Sequence, residues 1–248
     1  MNIFFSPHQD DELLTMGIAC LSLANDQEKQ VVLCTDGSGS CVKSILRNLH
    51  RCDKHNGLHY YFLTNDSFVK ARDTEFFESC LALGYSSENI HIPSSRALDG
   101  QFTKEMAKEL MLKRLSCVKS DSEIIVHTLL PLGEKQHSDH TNLGKAAIEL
   151  YQENVIDKLY LYVEPYCLDI FYKKFKNISL EEIECQEQGQ LEYLKKAIHS
   201  YCKWEPMKKR YAVGYHSVSD LFVEFMQNPR SYRIEFCSDL VLYEEIVL

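Results

Sequence analysis

Two short polar segments hold most of the residues in this sequence that could do chemistry. The first places one imidazole and three carboxylates within five positions, at His8, Asp10, Asp11 and Glu12. Like charges packed this closely cost free energy unless a cation or solvent offsets them. Acids at the start of a helix also favour its dipole and cap its free N–H groups, so a purely structural role stays open.

The second segment, Gln136–His140, contains two histidines and one aspartate. His137 and His140 are three positions apart, so both can face the same side of a helix start. Imidazole and carboxylate are suitable zinc ligands, and a catalytic zinc site uses three protein ligands with one open position. The two segments together supply those ligands and leave an acid and an imidazole for proton transfer.

Each polar segment follows a predicted strand, Asn2–Ser6 for the first and Glu123–Thr128 for the second. Apolar runs alternate with amphipathic ones along the chain, which predicts an α/β, Rossmann-like fold with a mostly parallel sheet and helices on both faces. In such sheets the ligand lies beyond the carboxyl ends of the strands. Further predicted elements are helices over residues 12–25, 67–83, 103–118 and 139–152, a strand over 158–163, and one long helix within 180–204.

Composition excludes several classes of function. The net charge is −9, with 36 acidic and 27 basic residues, which argues against nucleic acid as a partner. No apolar run reaches the roughly 18 residues of a membrane span, and the N-terminus lacks the features of a signal peptide. The ten cysteines form no C-x-x-C pair, so we expect buried thiols in a cytoplasmic protein and no zinc knuckle.

The sequence resembles a known family, the LmbE-like or PIG-L zinc-dependent N-acetylglucosaminyl deacetylases. The resemblance depends on His8-x-Asp10-Asp11 after the first strand and His137-x-Asp139-His140 before a later helix. Weaker similarities are Thr35-Asp36-Gly37, Arg72-x-x-Glu75 followed by Leu83-Gly84, and Asp99-Gly100. Residues 1 to about 165 match well and the remainder loosely. Two positions depart from the family pattern: Gln9 replaces its usual Pro, and no Gln follows His199-Ser200.

The resemblance implies a metal site built by His8, Asp11 and His140. The implied cofactor is zinc, although a site of two histidines and one aspartate could also hold iron or another divalent ion.

The remaining matched residues take catalytic or binding roles by the same resemblance. Asp10 would be the general base on the attacking water, and His137 would stabilise the oxyanion or protonate the leaving amine. Asp139 would orient one of the two histidines of its own segment, His137 or His140. Arg72 and Asp99 would hold the sugar.

These roles describe a metal-dependent hydrolase that removes an N-acetyl group from an N-acetylglucosamine-type sugar or glycoconjugate. We expect one deacetylase domain over residues 1–248, with residues from about 166 onward shaping the substrate pocket, and a small-molecule partner. Two alternatives stay open: a metal amidase of the same fold acting on another N-acyl sugar or thiol conjugate, and a non-catalytic sugar-binding protein. Dinucleotide binding and nucleophilic hydrolysis are disfavoured, because no G-x-G-x-x-G or G-x-S-x-G motif is present. The oligomeric state stays open.

Overall fold

The computed structural model describes residues 1–23, 28–118, 122–133, 135–185 and 187–237. Its strands are β1 (Asn2–Ser6), β2 (Lys29–Leu33), β3 (His50–Arg51), β4 (Leu58–His59), β5 (Ile90–His91), β6 (Ile125–Leu129), β7 (Lys158–Val163), β8 (Glu181–Glu184), β9 (Trp204–Glu205), β10 (Arg210–Tyr211) and β11 (Arg230–Phe236). Its α-helices are α1 (Asp11–Leu14), α2 (Gly17–Ser22), α3 (Val42–Arg47), α4 (Asn65–Ala82), α5 (Lys104–Leu115), α6 (Ser138–Gln152), α7 (Leu168–Lys174), α8 (Gln188–Cys202) and α9 (Val213–Gln227). Short 3₁₀ turns span Ser87–Asn89, Pro165–Cys167 and Pro206–Lys208.

A seven-stranded sheet organises the fold, in the order β5-β2-β1-β6-β7-β11-β8. The first five of these strands pair in parallel, whereas β11 is antiparallel to both β7 and β8. The predicted mostly parallel α/β fold is therefore confirmed. The chain leaves β1 toward β2 on one side and returns to β6 on the other, so the topological switch point lies between β1 and β6.

Each face of the sheet is covered by helices that bury a separate apolar core. Because side chains alternate along a strand, Ile3 and Phe5 of β1 enter one core while Phe4 enters the other. Helices α5 and α6 cover the first core, and α4, α8 and α9 contribute to the second. None of the helices in the described residues is long and apolar enough to cross a membrane.

One of the predicted helices is wrong in part. The helix expected over residues 12–25 is two short helices, α1 and α2, and its last two residues lie outside the described part of the chain. The one long helix expected within residues 180–204 is confirmed as α8, and strand β8 comes before it although three of its four residues are glutamates. Cross-strand ion pairs with β11 account for this strand: Arg233 Nε lies 2.7 Å from Glu181 Oε2, and Arg230 Nη2 lies 2.9 Å from Glu184 Oε1.

Helix α6 lies against the end of β6 with no room for another carbon at Gly144. A Cβ there would approach the Leu129 carbonyl oxygen to 2.4 Å and Pro131 Cδ to 2.7 Å. We expect Gly144→Ala to lower the free energy of unfolding by about 1–3 kcal/mol, as overpacking of a well-filled interior does. Gly189→Ala in α8 is the matched control, because a Cβ there meets nothing within 4 Å. Denaturant unfolding of both variants checks this, and equal stability would contradict the tight packing of α6.

Candidate active site

The candidate site lies beyond the carboxyl ends of β1, β6 and β7, three neighbouring strands of the sheet. His8 follows β1, His140 lies in the first turn of α6 after β6, and Glu164 directly follows β7. Parallel strands direct their carboxyl ends to one edge, which brings residues more than 130 positions apart into contact. The topology therefore explains why the two polar segments of the sequence meet.

His8, Asp11 and His140 direct one ligand atom each toward a common point. His8 Nδ1 lies 2.9 Å from His140 Nε2 and 3.4 Å from Asp11 Oδ2, and His140 Nε2 lies 3.2 Å from the same Asp11 oxygen. Ligand bonds of 2.0–2.2 Å in tetrahedral geometry put neighbouring ligand atoms about 3.3 Å apart. The donor set and its spacing therefore fit a divalent cation such as zinc.

Carboxylates hold the His8 ring from behind. His8 Nε2 lies 3.1 Å from Asp139 Oδ2 and 3.3 Å from Asp99 Oδ1, which leaves Nδ1 free for a metal. Asp139 is fully buried and also accepts the backbone N–H groups of Gly100 and Phe102. The closest imidazole to Asp139 is that of His8, and His137 Nδ1 lies 3.9 Å from the same carboxylate oxygen, so orientation of a histidine of its own segment remains a prediction.

Glu164 is the corresponding support for His140, and the sequence reasoning missed it. His140 Nδ1 lies 2.6 Å from Glu164 Oε1, and Gln136 Nε2 donates to the other carboxylate oxygen at 2.9 Å. A carboxylate behind a ligating imidazole fixes its tautomer and raises its basicity. An acid at the carboxyl end of a strand, just before Pro165, is the signal that could have indicated this residue.

Glu164→Gln is expected to weaken metal binding at this site by about 10–100-fold, since it removes the negative charge behind His140. Competition titration with a chromogenic chelator measures the affinity directly. Glu153→Gln serves as a control, because Glu153 is exposed and pairs with Lys108. Unchanged affinity in Glu164→Gln would show that the contact is only structural.

The charges around the two imidazoles favour a cation between them. Burial alone lowers the pKa of His140, but Asp11 and Glu164 raise it to about 9. Burial raises the pKa of Asp11, yet contact with His140 and His8 holds it well below its usual range. A field that stabilises protonated imidazole stabilises a divalent cation in the same place.

Asp10 stands beside the three ligands on a strained piece of backbone. Its φ of 105° is rare for a residue with a side chain, and such strain persists only where surrounding contacts enforce it. The buried Glu12 carboxylate accepts the Asp10 N–H at 2.9 Å and the Tyr201 hydroxyl at 2.7 Å. Burial, followed by the Asp11 carboxylate, raises the pKa of Asp10 to about 7, against opposing effects of Arg72 and the site histidines. A cation bound nearby would lower it again.

Arg72 and Gln9 build the wall behind Asp10. Arg72 donates to the backbone oxygens of Gly37 and Gln9 at 2.9 and 3.0 Å, and Nη2 lies 3.6 Å from Asp10 Oδ2. Gln9 is buried and donates to Asp73 Oδ1 at 3.0 Å. This side-chain hydrogen bond holds the loop at the position where the LmbE-like family usually has proline. Gly37 has a φ of +67°, and a Cβ there would meet Gln9 and Arg72. The contacts of Arg72 in this structure are therefore with other residues of the chain, and its role in binding a sugar remains a prediction.

His137 and Asp99 lie at the opening of the site. His137 Nδ1 accepts the Asp139 N–H at 3.3 Å, which puts the ring proton on Nε2, 3.6 Å from Asp99 Oδ1. Burial, followed by His8 and His140, lowers the pKa of His137, so the ring is neutral at pH 7. Its exposed Nε2–H can therefore donate to a bound group.

A cavity of about 350 Å³ joins these residues. The predicted metal ligands, Asp10, Arg72, Asp99 and His137 all line it, whereas Asp139 is buried behind His8. Much of the remaining wall comes from the last third of the chain. It includes Tyr166, Leu168, Ser217, Val218, Leu221, Glu224, Phe225, Asn228, Arg230 and Tyr232.

Comparison with solved structures finds the same fold in several enzymes. A deacetylase of the teicoplanin biosynthetic pathway superposes with a TM-score of 0.60 at 15% identity, covering 97% of this chain and 100% of its own. The N,N'-diacetylchitobiose deacetylase of Pyrococcus horikoshii gives 0.55 at 17%, covering 95% and 83%. A 4-carboxy-2-hydroxymuconate hydratase of Pseudomonas putida gives 0.52 at 14%, covering 97% and 99%. Identities this low establish the fold and not the reaction.

The family is decided by sequence. A comparison with curated proteins gives no significant match. The family profile described as PIG-L, GlcNAc-PI de-N-acetylase, matches residues 3–151, more than half of the chain, and includes both polar segments. The resemblance drawn from the two motifs is therefore confirmed: the chain belongs to the PIG-L (GlcNAc-PI de-N-acetylase) family.

Proposed function

We propose that this protein hydrolyses the acetamide of an N-acetylated amino sugar, with a divalent cation held by His8, Asp11 and His140. The observation that carries the proposal is the convergence of those three ligand atoms, 2.9–3.4 Å apart, at the wall of a cavity. Zinc or a similar cation would polarise the acetamide carbonyl and acidify water there. Membership of a de-N-acetylase family supports the same reaction.

The chain's own residues provide the proton transfers. Asp10 takes a proton from the water while the water oxygen forms a bond to the carbonyl carbon of the acetamide. The neutral His137 donates its Nε2–H to the developing oxyanion. The C–N bond then breaks, Asp10 returns the proton to the amine nitrogen, and acetate and a free amino sugar are released. Arg72, 3.6 Å from Asp10, keeps that carboxylate directed into the cavity.

The size of the cavity supports a substrate with one sugar unit inside. Its volume of about 350 Å³ is near the lower end of the roughly 300–1,000 Å³ usual for ligand pockets. Tyr166 and Tyr232 on its wall provide aromatic surface for a sugar ring or its substituent. One of the solved structures is described as a complex of a deacetylase with teicoplanin, and another as an N,N'-diacetylchitobiose deacetylase. We infer that the substrate carries an N-acetylglucosamine-type unit. Its aglycone would lie along the cavity wall formed by the last third of the chain.

Incubation of the protein with a panel of acetylated compounds tests this proposal. The panel contains N-acetylglucosamine, N,N'-diacetylchitobiose, an N-acetylglucosamine glycoside with an apolar aglycone, a thiol–sugar conjugate and an N-acetyl amino acid. We expect acetate and primary amine in equal amounts from at least one sugar. Release from the amino acid or thiol conjugate alone would replace the sugar by another amide. No release after metal loading would favour the sugar-binding alternative.

Metal loading in this assay has to be graded. One teicoplanin deacetylase structure is described as its zinc-inhibited form, so excess zinc can mask activity in a protein of this fold. We therefore specify additions from below one equivalent upward, with iron(II) and cobalt(II) in parallel. Activity that rises to one equivalent and falls beyond it separates the bound cation from inhibition.

A further inference from the structure

A second group of metal-ligating side chains lies apart from the cavity. It consists of Cys52, His55, His59 and His216, named here the Cys/His cluster. None of the four is among the residues that line the described cavity. The first three follow the spacing C-x-x-H-x-x-x-H, and the fourth comes more than 150 residues later, in the first turn of α9.

The atoms of the Cys/His cluster are arranged as ligands of one ion. His55 Nε2 lies 3.0 Å from His59 Nε2 and 3.1 Å from His216 Nε2, and Cys52 Sγ lies 3.5 Å from His216 Nε2. All four ligand atoms are within 4.8 Å of one another. A tetrahedral zinc site with ordinary Zn–N and Zn–S bonds has N···N separations of about 3.3 Å and N···S separations of about 3.6 Å.

Local structure brings these atoms together. Strands β3 and β4 form an antiparallel hairpin, and the Cys52 N–H donates to the Gly57 carbonyl to close its turn. A Cβ at Gly57 would approach Trp204 Nε1 to 2.4 Å, so only glycine lets Trp204 come this close. His216 Nδ1 donates to the Ala212 carbonyl at 2.6 Å, which leaves its Nε2 with a free lone pair toward the cluster.

The cluster is shielded from water. Cys52, His59 and His216 are buried, and the His55 ring stacks on Trp204 with centroids 3.8 Å apart. Without a metal, the Gly57 N–H bond to His55 Nδ1 puts the His55 proton on Nε2, between the other two rings. A metal ion would replace that proton and the thiol proton.

We propose that the Cys/His cluster binds a structural zinc ion. Four protein ligands close the coordination shell and leave no position for substrate, in contrast to the three ligands of the catalytic set. The ion links the β3–β4 hairpin to α9. His216 directly precedes Ser217 and Val218, which line the catalytic cavity, and Val218 interrupts α9 with non-helical backbone angles. The zinc therefore fixes the helix start that shapes one wall of the substrate cavity, whatever the substrate is.

Cobalt substitution tests this site separately from the catalytic one. Cobalt(II) bound to a thiolate has a sulfur-to-metal charge-transfer absorption, and the catalytic set of His8, Asp11 and His140 contains no sulfur. We expect the cobalt-loaded wild-type protein to show this absorption and Cys52→Ser to lack it. Cys41→Ser is the matched control, because Cys41 is an exposed thiol outside the cluster.

Metal counting in the variants completes the test. We expect two ions per chain in the wild type, and one in His140→Ala with the charge-transfer absorption intact. That result supports the structural site even if no acetylated substrate is ever hydrolysed. A wild-type spectrum without the absorption, or an absorption that survives Cys52→Ser, overturns the proposal. So does its loss in folded His140→Ala, because the thiolate would then belong to the catalytic ion. If Cys52→Ser does not fold, the presence or absence of the charge-transfer absorption in the cobalt-loaded wild type tests the proposal.

Discussion

Asp10→Asn is expected to reduce turnover by about 10²–10⁴-fold, the usual contribution of a positioned general base. Asparagine keeps the size and most hydrogen bonds of the side chain but cannot take a proton from water. Asp10 is not among the three converging ligands, so the metal content should stay at the wild-type value. Steady-state acetate release and metal analysis of the same preparation measure both quantities.

The strained backbone at Asp10 requires a control for folding. Glu105→Gln, in an exposed first turn of α5, changes a carboxylate to an amide without touching the cavity and should leave turnover unchanged. An unfolding midpoint of Asp10→Asn close to that of the wild type excludes a folding defect. Asp10→Asn with near-normal turnover would remove Asp10 from the role of base.

His140→Ala is expected to weaken metal binding at the catalytic set by more than the 10–100-fold typical of a supporting residue. The substitution deletes one of three ligand atoms and leaves the Glu164 carboxylate buried without its imidazole partner. Acetate release should fall to background at metal concentrations that saturate the wild type. Metal titration and activity, measured together, check the prediction.

His137→Ala provides the contrast, because His137 lies three residues earlier at the same helix start. Its ring lies close to His8 and His140, but it is not one of the three proposed ligands. We therefore expect metal affinity near that of the wild type and turnover lowered by about 10²-fold through loss of an oxyanion donor. If the two variants lost metal equally, the assignment of ligands in α6 would be contradicted.

Most of the fold could be predicted because its strands are short, buried and separated by amphipathic helices. Strands Asn2–Ser6 and Lys158–Val163 agree with the prediction at both ends. The helix at Lys104–Leu115 was found because Thr103 caps it, and the helix at Asn65–Ala82 because Gly84, in the left-handed region, follows Leu83 at its end. The helix at Asn65–Ala82 begins two residues before its predicted start, where Thr64 accepts the Ser67 N–H. Strand Glu181–Glu184 could not be found, because its stability comes from arginines of a strand about 50 residues later.

Some residues of the candidate site could likewise be predicted from the sequence, and others could not. His8, Asp11 and His140 stand in dense polar motifs that follow strands, so their sequence positions indicated them. Glu164 escaped notice because a single acid after a strand has no distinctive pattern, and only the pairing of β6 with β7 brings it to His140. Asp139 was expected to act on its sequence neighbours; it lies 3.9 Å from His137, and the β1–β6 pairing also brings it to His8, which the sequence did not indicate.

The cysteines show the limit of motif reasoning most clearly. The lack of a C-x-x-C pair led us to expect ordinary buried thiols and no zinc knuckle. Cys52 is buried, but it lies beside three imidazoles, one of which comes from α9. A ligand contributed from the far end of the chain leaves no spacing signal, so the Cys/His cluster emerges only in the folded structure.

The central claim is that His8, Asp11 and His140 hold a cation without which the acetamide is not hydrolysed. The most direct test removes all metal from the wild-type protein with a chelator, then measures acetate release from the best panel sugar before and after graded restoration of one cation. The predicted result is activity that vanishes on chelation and returns on metal restoration in the wild type, but not in His140→Ala, which keeps the Cys/His cluster. Full activity in protein shown by elemental analysis to be free of metal would contradict the account.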